Sequence, residues 1–159
     1  MIFGICWNES GDHLLSTSDD RTVRLWSYIW KVPENTPDNI GYEISSSIQF
    51  EGHQARVWRS KWLPDYKNLN AVASDVPPRY FASCSEDTTC RIWDLSTGNC
   101  VGVYNGHSGK NLWGFAVHPT HPYIISSGAD CAIKVISSLI IYLSFINVIL
   151  GLVGRSHHG

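Results

Sequence analysis

Charge is scarce in this sequence: Asp, Glu, Lys and Arg make up 16% of its 159 residues, against about 25% in an ordinary soluble domain. The formal net charge is -2, so no bulk attraction draws the chain to nucleic acid or to an acidic membrane, and any RNA contact has to come from a local patch. No C-x-x-C pair occurs among the five cysteines, Cys6, Cys84, Cys90, Cys100 and Cys131. An odd number without metal-type spacing reads as reduced core thiols of a cytosolic or nuclear protein, and a cytoplasmic location is expected. The start, MIFGICWNESGD, has no basic leader, no long apolar stretch and no small-residue cleavage site, so it is not expected to act as a secretory signal. A long uncharged apolar run is absent until LIIYLSFINVILGLV, residues 139 to 153.

Hydrophobic residues are plentiful, at 43% with seven tryptophans, enough for a single-domain core. They recur in an order. SDDRTVRLW (18 to 26), SEDTTCRIW (85 to 93) and GADCAIKVI (128 to 136) align without gaps, each with Asp third and a basic residue seventh. Self-similarity of this kind decides the fold before any motif does. Upstream of each lie two short apolar segments separated by breakers such as NESGD and HPTHP. Such runs, rich in aromatic and β-branched residues, are strands of antiparallel meanders, four to a unit. Residues 57 to 62, 80 to 84, 89 to 93 and 100 to 105 make one complete set.

His53, Ser83 and Asp87 invite a catalytic-triad reading, but a triad occurs once per enzyme and needs an exposed serine and an oxyanion hole. Here His107, Ser126 and Asp130 repeat the order. The structural reading is a buried hydrogen-bond network in each unit, joined by Trp93 in one and represented by Asp20 and Trp26 in another, which rigidifies a core when fully satisfied. No catalytic residue is assigned. His118 and His121 form an H-x-x-H in a proline-flanked turn, and His157 and His158 stand in the tail, without the further ligands a metal site requires.

Gly52-His53, FASCSEDTTCRIWD and Gly106-His107 resemble WD repeats, the blades of a β-propeller. The resemblance covers residues 1 to 136 and implies an all-β chain, a partial propeller of about three four-stranded blades with the first and last incomplete. The blades are read as 1–51, with an inserted loop at 27–43; 52–105, with an inserted loop at 64–79; and 106–136, truncated, where Ile136 replaces the Trp. Both insertions are expected to be irregular surface loops on the face opposite the Gly-His loops. A propeller closes with about four to eight blades, so the chain reads as a piece of a longer protein. Residues 137–159 fall outside the repeat. They start where AIKVW is expected and are short for a spanning helix, so a misjudged exon boundary is preferred to a membrane anchor.

The loops GHQARVW and GHSGKNLW carry a narrower resemblance, to the WD-repeat subunit of the eukaryotic tRNA wobble-position 2'-O-methyltransferase. That resemblance implies a non-catalytic subunit that binds tRNA and a methyltransferase partner, the partner binding S-adenosylmethionine, with no cofactor or small-molecule substrate for the chain itself. It singles out Arg56, Trp58, Lys110, Asn111 and Trp113 as contacts to tRNA or enzyme. Basic residues beside an aromatic suit phosphate and stacking contacts, while a tryptophan starting an inner strand is more readily core. The alternative is a generic WD scaffold, such as a ubiquitin-ligase substrate receptor, since fold alone does not choose.

Overall fold

The computed structural model describes residues 1–31, 41–64, 79–109 and 111–137. Eleven strands and no helix are found among them, in three antiparallel sheets. The first sheet runs in chain order through β1 (Ile2–Trp7), β2 (His13–Ser18), β3 (Val23–Lys31) and β4 (Gly41–Phe50). The second is β5 (Val57–Trp62), β6 (Tyr80–Ser85), β7 (Cys90–Asp94) and β8 (Cys100–Tyr104). The third contains β9 (Leu112–Val117), β10 (Tyr123–Gly128) and β11 (Ile133–Ser137). The sheets stand side by side, with first strand against first strand: β1 lies on β5 and β5 on β9.

Alternation along each strand sends its apolar residues to two neighbours. Leu15, Val23 and Leu25 of the first sheet meet Val57, Phe81 and Trp93 of the second, with Phe50 between them. Tyr80, Ala82, Cys90 and Ile92, on the other face of the second sheet, meet Leu112, Ile124 and Ile136 of the third. All six residues of β6 are therefore buried. Phe50 and Phe81 meet edge to face at 4.9 Å, and Phe81 stacks on Trp93 at 6.1 Å. Each such side chain contributes about 1.5–3 kcal/mol on burial.

One expectation fails at 27–43. Instead of an irregular loop, β3 and β4 continue as a paired ribbon, Tyr28 opposite Ile44 and Lys31 opposite Gly41, past a bulge between Ser27 and Tyr28. Tyr28, Ile29 and Trp30 have strong strand preference, and they pair once Tyr42 and Ile44 are brought opposite. The Pro and Asn residues of this insertion fall in residues 32–40, outside the described residues. Residues 65–78 of the second insertion and 138–159 of the tail are also outside them.

Candidate functional site

The turn between the second and third strands of each sheet is built by one aspartate. Asp20, Asp87 and Asp130 each accept the backbone N–H two residues on, from Thr22, Thr89 and Ala132 at 3.0, 2.9 and 3.2 Å. This Asx-type bond holds the intervening residue in the left-handed region, with φ of 71° at Arg21, 72° at Thr88 and 61° at Cys131. The carboxylate is thereby fixed at the mouth of the turn, where the preceding loop can reach it.

In the second sheet His53 reaches it. Nδ1 of His53 is 2.8 Å from Asp87, and Nε2 is 2.7 Å from Ser83 Oγ, which also receives the Trp93 indole N–H at 2.8 Å. Every group is used when Nδ1–H donates to Asp87 and the serine hydroxyl donates to Nε2 while accepting from Trp93. The Gln54 N–H and the Thr89 hydroxyl also donate to Asp87. Burial alone would raise the Asp87 carboxyl, but these bonds outweigh it and hold the group well below its usual range. The glycine before His53 allows the approach. Its φ is 152°, and a β-carbon there would come within 3.1 Å of both Trp93 and Arg91.

The third sheet repeats the arrangement with one member missing. His107 bonds Asp130 at 2.8 Å and Ser126 at 2.9 Å, but Ile136 stands in the tryptophan's place and donates nothing. The His107 bond, with the N–H groups of Ser108 and Ala132, lowers the Asp130 carboxyl to about 2. In the first sheet Trp26 donates to Ser16 Oγ at 2.9 Å and Asp20 takes the Thr22 hydroxyl. Ser83 and Ser126 are fully buried. Neither can reach a substrate carbonyl, so the triad-like distances serve to bind loop, turn and strand together.

The residues read as contacts lie at the loop-to-strand junctions. Arg56 is exposed, and its Nε donates to Asp19 of the first sheet at 2.6 Å, with Glu86 at 3.8 Å. Trp58 is half-buried, with its ring 4.7 Å from Phe3 and 5.6 Å from Trp113, which stacks on it at 26°. Trp113 is exposed and Asn111 half-buried. Lys110 lies outside the described residues. The backbone also sets the register of the two loops: the Glu86 N–H donates to the Arg56 carbonyl and the Ala129 N–H to that of Asn111. Counted from the strand, then, the position of Arg56 is taken by Asn111. The third-sheet loop is one residue longer, with Gly109 at φ 64°.

The WD domain, G-beta repeat family matches residues 2–27, 44–94 and 98–137. The chain belongs to the WD-repeat family. It is 29% identical over its whole length to the tRNA (34-2'-O)-methyltransferase regulator WDR6 of Bos taurus, of which it covers 11%. It is 30% identical over 84% of its length to the protein of that name from Homo sapiens, of which it covers 10%. The nuclear distribution protein PAC1-2 of Uncinocarpus reesii is 26% identical over 82% of the chain, which covers 27% of that relative. The chain thus spans about a tenth of the length of the methyltransferase regulators.

As blades of a WD-repeat chain, the three sheets place Phe3, Trp58 and Trp113 at one repeated position, the second residue of each inner strand. Sequence reading singled out the two tryptophans and passed over Phe3, although its place in IFGICW matches theirs. It also passed over Asp19 and Glu86, which hold Arg56. Their signal was present: each stands directly before a turn aspartate.

Proposed function

We propose that this chain is part of a non-catalytic WD-repeat subunit that supports 2'-O-ribose methylation of tRNA at position 34, engaging the methyltransferase and the tRNA through its Gly-His face. The observation that carries the reading is the likeness, over 84% to all of the chain, to relatives named as regulators of that methyltransferase. Arg56 and Asn111 are the favoured contacts on that face, as a phosphate ligand and a polar neighbour beside the rings of Trp58 and Trp113. Trp58, held between Phe3 and Trp113, is the most committed of these to packing.

Mass spectrometry of tRNA from cells lacking this gene tests the function. Loss of the ribose methyl at position 34, with other modifications intact, is the expected result, and its full retention refutes the reading. The role of Arg56 is tested by separating its charge from its ion pair. In the intact protein, Arg56→Ala should weaken tRNA binding, whereas Asp19→Asn removes the nearer of its two carboxylate partners and should strengthen it. Equal weakening by both would make Arg56 a strut between blades.

A further inference from the structure

We propose that Asn105 and Gly106 form a spontaneous deamidation site, which converts the Gly-His loop of the third sheet to an aspartyl or isoaspartyl form and loosens the His107 network as it does so. The pair links two anchored residues. Tyr104, the last residue of β8, is held opposite Cys90, and His107 is buried, 3% exposed, with its ring bonded to Asp130 and Ser126. Between them Asn105 is exposed, and neither its carboxamide nor the Gly106 N–H has a hydrogen-bond partner among the described residues.

The chemistry needs both of those groups unbound. The Gly106 nitrogen gives its proton to hydroxide and attacks Asn105 Cγ, and the carboxamide nitrogen leaves as ammonia, which closes a five-membered succinimide. Water then opens the ring: at Cγ it yields aspartate, at the main-chain carbonyl isoaspartate, and nothing is oxidised or reduced. Glycine in second place leaves the attacking nitrogen unhindered. The fold keeps glycine there, because a β-carbon on Gly106 would run into the ring and hydroxyl of Tyr104.

Other positions lack one requirement. In the second-sheet loop the residue before Gly52 is Glu51, which has no amide to lose. Asn8 is buried, with its carboxamide bonded to Ser10 and Asp12. Asn99 and Asn111 precede Cys100 and Leu112, whose side chains crowd the nitrogen that would attack. Isoaspartate routes the backbone through an added methylene, about 1.5 Å of extra path. With Tyr104 fixed in the sheet, that length falls on His107, and its bonds to Asp130 and Ser126 have to give.

The test follows the intact protein through incubation at neutral and mildly alkaline pH, with peptide mass spectrometry and hydrogen exchange. Asn105 should lose its amide before Asn8, Asn99 or Asn111, at a rate that rises in proportion to hydroxide and nearly matches that of the urea-unfolded chain. Isoaspartate should be found at that position. In the aged protein the peptides carrying Ser108 and Ala132, whose N–H groups are bonded to Asp130, should exchange faster than in the fresh one. Asn105→Gln, which cannot close the five-membered ring, should age without that change, and fresh Asn105→Glu, which has the charge without the methylene, should exchange like fresh wild type. An Asn105 amide that survives in the folded protein while it is lost in urea would overturn the site. Converted protein whose exchange is unchanged would overturn the coupling to His107.

Discussion

Ser83→Ala offers the sharpest test of the buried network, because the third sheet supplies its own control. Ser83 Oγ serves two buried partners, the Trp93 N–H and His53 Nε2, at 2.8 and 2.7 Å. Ser126 Oγ is bonded to His107 Nε2 at 2.9 Å, and the Ile136 side chain has no N–H to offer. A buried polar group stripped of its partner costs about 1–3 kcal/mol. Ser83→Ala leaves two such groups and should cost about 4 kcal/mol, Ser126→Ala one and about 2 kcal/mol. At about 2–4 °C per kcal/mol for a chain of this size, the two variants should melt several degrees apart.

Urea titrations followed by tryptophan fluorescence would measure both losses. Trp93→Phe supplies the remaining corner, since it keeps a stacked ring and removes the donor. In that background Ser83→Ala should cost only about 2 kcal/mol, a coupling of about 2 kcal/mol between Ser83 and Trp93. Losses for Ser83→Ala and Ser126→Ala that agree within about 0.5 kcal/mol, or no coupling, would refute the hub role of Ser83.

Two other outcomes follow from the ionisable groups. Asp87 and Asp130 are held below their ordinary value of 3.8, Asp130 at about 2, so the folded state prefers both as carboxylates. Their contribution is present above the ordinary value and is lost as pH falls through the folded one. Urea midpoints should therefore drop between about pH 5 and pH 2, and drop less in Asp87→Asn, which is already weaker at neutral pH; equal slopes would count against the bonds drawn to Asp87. Burial pushes the Cys84 thiol up to about 12 and raises Cys90 as well. Both should resist Ellman's reagent at about pH 8 until urea unfolds the chain, while exposed Cys131 reacts in the native protein; early labelling of either buried thiol, located by peptide mapping, would contradict the packing of the second and third sheets.

The sheets were legible because their signals are local. An Asp two residues before a paired N–H, flanked by alternating apolar residues, needs no distant partner to be recognised. The ribbon at 27–31 and 41–46 was hidden by averaging, since its strand formers share a segment with the Pro and Asn of 32–40. The environment of Arg56 was hidden by distance: its partner Asp19 is 37 residues away, and only side-by-side sheets bring them together. The one-residue difference between the two Gly-His loops was hidden as well, because only backbone hydrogen bonding at the strand matches Arg56 to Asn111.

That shift in register changes what the Gly-His face can do. Had a basic residue stood at the same junction in both loops, the face would present two equivalent cations, suited to a backbone with regular charge spacing. Instead the paired position alternates between a guanidinium and a carboxamide, and the guanidinium is drawn toward Asp19 and Glu86. The His53 and His107 networks pin the loops from beneath, so the backbone carrying these side chains does not have to be ordered when a partner arrives, and more of each contact is left as affinity. One cation whose charge is shared with two carboxylates is weak attraction at long range and strong discrimination at short range. Under the proposed function, a ligand would have to offer a geometry better than Asp19 already provides before Arg56 turned to it. Such an arrangement favours recognition of a particular shape over indiscriminate binding to polyanions, in keeping with a chain whose bulk charge attracts none.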